Sequence, residues 1–263
     1  MKKLLLLTCL LFFIQLFPRK NAIIIGATSG MGRATAKLLA NDNYTVGLAG
    51  RRTKLLKSLQ KEISTESFIK SIDVSKTEVA MKQLEELIDE MRGIDLILIS
   101  ISAYDDDKTA PDWKNKEKMI RVDAMGVWAM AEVALQYFKK QKSGHLVAIS
   151  SISGLRGSAQ CPVYCGSKAF VQKYLEGVRN YMSQNNLPIH VTDIVPGWVD
   201  NERHKYSKMP HTYWVTQLEQ AAKDIFEAIK KKKKVAYISK RQIFVAWALA
   251  LVPDYFFNWM GEF

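Results

Sequence analysis

Cysteine is scarce: the 263 residues hold three, Cys9, Cys161 and Cys165. An odd count without a repeated spacing excludes a disulfide framework and implies reduced thiols in a cytosolic compartment. The four histidines, His145, His190, His204 and His211, form no ligand-spaced set with Cys161 and Cys165, so no metal site is expected. Internal repeats, low-complexity linkers and nucleic-acid recognition motifs are also lacking, which leaves one domain and argues against a nucleic-acid partner. Acids are in the minority, with 26 Asp and Glu against 38 Lys and Arg, a formal net charge of +12. That balance suits an anionic partner, whether a phosphorylated cofactor, an acidic membrane surface or nucleic acid, and does not choose among them. What is present is ordinary for a globular chain: 48% hydrophobic residues, enough for one core, and 24% charged ones.

The first twenty residues stand apart. Lys2 and Lys3 precede an apolar run from Leu4 to Phe17, followed by Pro18, Arg19 and Lys20. The order resembles a signal peptide, but no small-residue cleavage site follows. The run is also shorter than the ~20 residues that span a bilayer comfortably. Three readings stand: an uncleaved anchor (preferred), an amphiphilic extension packed on the domain, or a start placed too far upstream. The expected location is cytoplasmic, with attachment to the cytoplasmic face of a membrane under the anchor reading.

From Asn21 onwards apolar runs alternate with helical stretches. Strands are predicted at Ala22–Ile25, Thr45–Ala49, Phe68–Ile72, Asp95–Ser100, His145–Ser150, His190–Val195 and Val235–Ile238. Helices are predicted at Arg33–Ala40, Thr53–Ile63, Val79–Met91, Lys116–Lys139, Pro162–Gln184 and Gln217–Ile229. Strands that are apolar throughout, alternating with helices, predict an α/β fold: a parallel sheet covered on both faces. The organisation expected is an extension (1–20), one catalytic domain (21–241) and an apolar, aromatic-rich C-terminal segment (242–263).

The first predicted strand runs into Gly26-Ala27-Thr28-Ser29-Gly30-Met31-Gly32. Glycines there permit a tight turn, close approach of a pyrophosphate and close helix–strand packing, while the helix N-terminus offers N–H groups to phosphates. The second strand ends at Ala49-Gly50, followed by Arg51 and Arg52, with no acid between Val46 and Arg52. An NAD site places an acid here for the ribose 2′-hydroxyl, whereas a cation suits the 2′-phosphate, so NADP(H) is favoured over NAD(H). Asp73 follows the third strand, beside Val74, as a partner for the adenine amino group or as a turn residue.

Tyr164 and Lys168 lie one helical turn apart, on one face. A phenol with a pKa of about 10 is a poor base at neutral pH, and a nearby ammonium lowers that value. The same spacing recurs at Tyr104 and Lys108, but there three aspartates intervene. Context separates the two, because Ser151 lies thirteen residues before Tyr164 at the end of a buried strand. A hydroxyl there binds a substrate oxygen as charge develops on it.

Taken in order, the Gly26/Gly30/Gly32 turn, Ser151, Tyr164, Lys168 and Pro196-Gly197 resemble the short-chain dehydrogenase/reductase superfamily, over about residues 21–238. The resemblance implies a single Rossmann-type doubly wound sheet of order 3-2-1-4-5-6-7. It implies hydride transfer between nicotinamide and a carbonyl or alcohol, with Tyr164 as general acid/base. Lys168 would lower the tyrosine pKa and hold the nicotinamide ribose, and Ser151 would polarise the carbonyl. The cofactor residues implied are Gly26, Thr28, Ser29, Gly30, Met31, Gly32, Arg51, Arg52, Asp73, Val74, Ser100, Tyr164, Lys168, Pro196, Gly197 and Val199. A homodimer or homotetramer through the two long helices is also implied.

Three positions depart from the family pattern. Its Asn-Ala-Gly after the fourth strand reads Ser100-Ile101-Ser102 here. Its helix asparagine, part of a proton relay, falls at Asp123, which cannot donate a hydrogen bond when ionised. Its threonine after Pro196-Gly197 becomes Asn201. A weakly active or non-catalytic NADP(H)-binding sensor is therefore the alternative function.

Lys240-Arg241 and the segment Ile243–Leu251, with the lysine run Lys230–Lys234 just upstream, suit a helix lying in a membrane interface. A cover on the cleft or an oligomer contact suits them equally. The loop between Trp198 and Trp214, with Tyr206, Met209 and Tyr213, is expected over an apolar substrate.

Overall fold

The computed structural model describes residues 19–103, 112–200, 212–253 and 255. The chain opens with β1 (Asn21–Ile25), α1 (Gly30–Asn41), β2 (Thr45–Gly50), α2 (Thr53–Glu62), β3 (Ser67–Ser71), α3 (Thr77–Glu90) and β4 (Leu96–Ile99). It continues with α4 (Trp113–Ile120), a π-helical turn (Arg121–Gly126), α5 (Val127–Gln141), β5 (Gly144–Ile149), α6 (Pro162–Gln184) and β6 (Ile189–Pro196). Two short strands, β7 (Val199–Asp200) and β8 (Thr216–Gln217), precede α7 (Leu218–Lys230), β9 (Val235–Ile238) and α8 (Gln242–Leu251).

Seven strands form one parallel sheet in the order β3-β2-β1-β4-β5-β6-β9. This is the predicted order; the last strand counts as ninth because β7 and β8 pair separately, parallel to each other. Successive residues of a strand point to opposite faces. Ile23, Ile25, Ile97 and Ile99 thus pack with Leu84 and Leu87 of α3, Met130 of α5 and Leu175 of α6. Ala22, Ile24, Leu96 and Leu98 pack with Leu39 of α1, Leu56 of α2 and Ile225 of α7. Two buried faces explain why these strands are apolar at every position rather than at alternate ones.

Two differences from the sequence expectations bear on the site. The first helix starts at Gly30, three residues earlier than predicted, so Gly30 and Gly32 belong to its first turn. The helix predicted at Lys116–Lys139 runs from Trp113 to Gln141 and is interrupted by the π-helical turn around Asp123. As the sequence predicts, the lysine run Lys230–Lys234 precedes β9 and the apolar helix α8 follows it. A four-residue strand, about 13 Å long, separates the two, so they do not form one amphipathic element. Among the described residues no helix is long and apolar enough to cross a membrane. The apolar run from Leu4 to Phe17 lies outside the described residues.

Candidate active site

The cleft begins where β1 meets α1. Gly26 has φ +94°, and a Cβ there would sit 2.0 Å from the Ser100 carbonyl oxygen. Only glycine fits, because both the conformation and the approach of the neighbouring chain exclude a side chain. At Gly32 a Cβ would sit 2.5 Å from the Gly26 carbonyl oxygen, so helix and turn also meet backbone to backbone. Gly30, at φ +56°, faces open space. Ser29 is the N-cap of α1, yet its hydroxyl caps nothing in the helix. It accepts instead from Arg52 Nη2 at 2.6 Å, which also donates to Thr28 Oγ1 at 2.7 Å. The helix start thus keeps its first-turn N–H groups without a side-chain cap, beside a cavity lined by Gly26, Thr28, Ser29, Gly30 and Met31. The chemistry of that cradle fits a pyrophosphate.

The two arginines divide. Arg51 lines the cavity at the end of β2, while Arg52 is turned onto the glycine loop. Asp73 and Val74 line the same cavity after β3, with Asp73 Oδ1 accepting from Ser75 N–H at 3.2 Å and Ser75 Oγ at 2.8 Å. Asp73 is thus both a turn residue and a cavity residue. Ser100, Pro196, Gly197 and Val199 line it at the ends of β4 and β6.

At the other end of this cavity, about 350 Å³ in volume, stand Ser151, Tyr164 and Lys168. Ser151 follows β5, and its Oγ accepts from Ser153 N–H at 3.2 Å, which pins the turn. Pro162 at the first position of α6 starts the helix that carries Tyr164 and Lys168. Lys168 is 2% exposed; its Nζ lies 3.5 Å from the Ile149 carbonyl oxygen and 3.8 Å from Asp123 Oδ2. Asp123 is not on the cavity wall but directly behind it. Its Oδ1 accepts from Ala103 N–H at 2.7 Å and its Oδ2 from Ser102 Oγ at 3.1 Å.

The electrostatics differ from the expectation at Tyr164. Burial, then the Asp123 carboxylate, push its phenol above the ordinary value, against a hydrogen bond from Ser151 that lowers it. Lys168 Nζ is 5.6 Å from the centre of the phenol ring and is shared with the carboxylate. The lowering expected from Lys168 is not among the causes, and the one downward pull is the Ser151 hydrogen bond.

Residues 20–210 match the family model of the short chain dehydrogenases. The chain belongs to that family. This short-chain dehydrogenase is an oxidoreductase, and its relatives carry the same description. An uncharacterized oxidoreductase of Myxococcus xanthus is 30% identical over 196 residues, 73% of this chain and 76% of that one. Another, from Mycobacterium tuberculosis, is 32% identical over 192 residues, 70% of this chain and 75% of that one. An alcohol dehydrogenase from Thermococcus sibiricus complexed with 5-hydroxy-NADP shares the fold with a TM-score of 0.70 at 23% identity, over 84% of this chain and 95% of that one. A short-chain dehydrogenase from Sphingobium yanoikuyae in complex with NADPH does so at 0.74 and 17%, over 87% and 91%.

Three structural partners of the dehydrogenase site went unread in the sequence. Gln172 Nε2 donates to the Ser151 carbonyl at 2.9 Å and to Ser150 Oγ at 3.3 Å, fixing the serine turn. Its only signal is its place one helical turn beyond Lys168. Gln242, wholly buried, donates to the Trp214 carbonyl at 2.8 Å and fills the space beside Gly197, where a Cβ would sit 2.3 Å from it. Arg156 Nη1 donates to the Leu249 carbonyl at 3.1 Å, tying the Ser151 turn to α8. The rival pair Tyr104 and Lys108, Asn201, Tyr206 and Met209 lie outside the described residues.

Proposed function

We propose that this oxidoreductase uses NADP(H), in preference to NAD(H), to interconvert a carbonyl and an alcohol. The observation that carries the reading is one continuous cavity with a glycine cradle and Arg51 at one end and Ser151, Tyr164 and Lys168 at the other. When bound, the nicotinamide supplies or accepts the hydride. The first-turn N–H groups of α1 would hold its pyrophosphate, and Arg51 would supply the charge for the 2′-phosphate. Ser151 donates a hydrogen bond to the substrate oxygen as negative charge gathers on it. Tyr164, protonated at neutral pH and pushed further up by burial and by Asp123, gives its proton to that oxygen. Lys168 then faces the phenolate so formed and holds the cofactor ribose. The direction served best by a protonated phenol is reduction of the carbonyl.

A homodimer through α5 and α6 accompanies this reading, supported by Trp128 and Phe170, which these helices leave exposed. The experiment is a fluorescence titration with NADPH and NADH, followed by a screen of ketones and aldehydes for loss of NADPH absorbance. Tyr164→Phe is expected to bind NADPH normally and to lose two or more orders of magnitude in kcat. Equal turnover by Tyr164→Phe would remove the proton donor. Binding without any turnover in the wild type would favour the sensor.

A further inference from the structure

Cys161 and Cys165 stand one turn apart at the start of α6, on either side of Tyr164 in sequence, and their sulfur atoms are 3.8 Å apart. Cys161 is the N-cap of the helix and lines the cavity, and Cys165 is buried behind it. The chemistry proposed above uses neither. A buried cysteine is often only a small hydrophobe, but that account does not cover Cys161, which faces the cavity. Two features favour thiolate character. A helix N-terminus stabilises an anion, and the hydrogen bond from Cys161, with backbone help at Ser158, holds the Cys165 thiol down to about 6. Closing the pair to the bonded distance of about 2.05 Å needs an approach of less than about 2 Å. That is within reach of an N-cap residue, whose backbone is not yet helical.

We infer that Cys161 and Cys165 form a redox-sensitive pair, which a hydroperoxide closes into a disulfide and so disables the neighbouring Tyr164. The cavity-facing sulfur of Cys161, its proton passed to Cys165 along their hydrogen bond, attacks the peroxide as the thiolate, the O–O bond breaks, and a sulfenic acid and an alcohol (water, for hydrogen peroxide) result. Cys165, again deprotonated, attacks that sulfur, the S–O bond breaks, and the hydroxide leaves as water with a proton from solvent. Two thiols lose two electrons and the peroxide gains them. The new bond draws Cys161, on the cavity wall beside Tyr164, towards the buried Cys165. It also removes the sulfur charge that adds to the upward push on the phenol. A thiol reductant reverses both changes.

The loss of activity rests on the reading of Tyr164 as proton donor, but formation of the bridge does not. The full-length protein is treated with hydrogen peroxide, alkylated with N-ethylmaleimide and analysed by peptide mass mapping, with carbonyl reduction assayed in parallel. A peptide bridged between Cys161 and Cys165, lighter by two hydrogens, is expected. Activity should fall on the order of a hundredfold, the cost of an ångström-scale displacement of a catalytic group, and dithiothreitol should restore it. Cys165→Ser, compared with its own untreated activity, should lose the bridge and most of the sensitivity. Oxidation that reaches Cys9 while Cys161 and Cys165 stay alkylated would overturn the pair. A quantitatively bridged protein with full activity would overturn the switch. Bridge formation in a protein without any turnover would leave the pair standing and remove the function proposed above.

Discussion

Asp123 Oδ2 lies 3.8 Å from Lys168 Nζ, and both side chains are out of solvent. A buried carboxylate survives only with donors around it, and this one has Ser102 Oγ and Ala103 N–H as well as the lysine. Ser102 and Asp123 are two of the places where the chain departs from the family pattern, and here they touch. The serine hydroxyl supplies a donor to the carboxylate that an asparagine in its place would not need. Because the carboxylate also pushes the Tyr164 phenol up, Asp123→Asn should bring that phenol down. Carbonyl reduction needs the protonated phenol, so its rate is lost as pH rises through the phenol pKa. The alkaline limb of kcat should therefore move to lower pH in Asp123→Asn, and an unmoved limb would refute the coupling. Asp123→Ala takes its ion-pair carboxylate from buried Lys168 and should cost about 3–5 kcal/mol in a urea melt.

Arg51 and Arg52 are adjacent in sequence and divided in space. Arg51→Ala should weaken NADPH by about ten- to a hundredfold, the value of a charge-assisted hydrogen bond, and leave NADH nearly unchanged. Arg52→Ala removes two hydrogen bonds to the glycine loop and should weaken both cofactors alike. Paired fluorescence titrations decide, and an equal effect of Arg51→Ala on the two cofactors would contradict the 2′-phosphate assignment.

Gly26 combines a φ of +94° with a 2.0 Å approach to the Ser100 carbonyl oxygen. Gly26→Ala should therefore destabilise the fold by about 3 kcal/mol or more and abolish NADPH binding. Gly157, with open space around it, is the control: Gly157→Ala should stay within about 0.5 kcal/mol. Thermal melts of the two variants check the contrast.

Asp193 lies on β6 behind the site, 3% exposed, and burial raises its carboxyl to about 6 against the pull of Ser150, Arg179 and Lys168. Its ordinary value is 3.8. Between those two values the folded state binds more protons than the unfolded one, so stability is fully present below the lower and is lost as pH rises to the upper. The loss amounts to about 3 kcal/mol. Asp193→Asn escapes it, and should exceed the wild type in urea melts above about pH 6 and equal it near pH 4. Burial holds buried His145 down to about 3, which slopes the other way in both proteins and cancels in the comparison. No gain at neutral pH would show that the carboxylate is better paired than its surroundings indicate.

Most of the fold and the centre of the candidate site could be read along the chain. Strands buried on both faces are apolar at every position, the glycine turn joins consecutive elements, and Tyr164 and Lys168 share a helix. Such signals are local, so the backbone period carries them. The start of α1 was read late because Gly30 and Gly32 are poor helix formers, and the π-helical turn was missed because it has no periodic signature.

By itself, the sequence determined the doubly wound parallel sheet, the single domain, the glycine cradle and the family of the enzyme, because periodicity and chain-adjacent spacing encode each of them. Only the tertiary structure decided that Lys168 pairs with Asp123 from a helix 45 residues earlier, that Ser102 supports that carboxylate, and that Arg51 rather than Arg52 faces the cavity. Those outcomes depend on side-chain direction and on contacts between distant segments, where burial and Coulomb forces are set by neighbours that the chain order does not name.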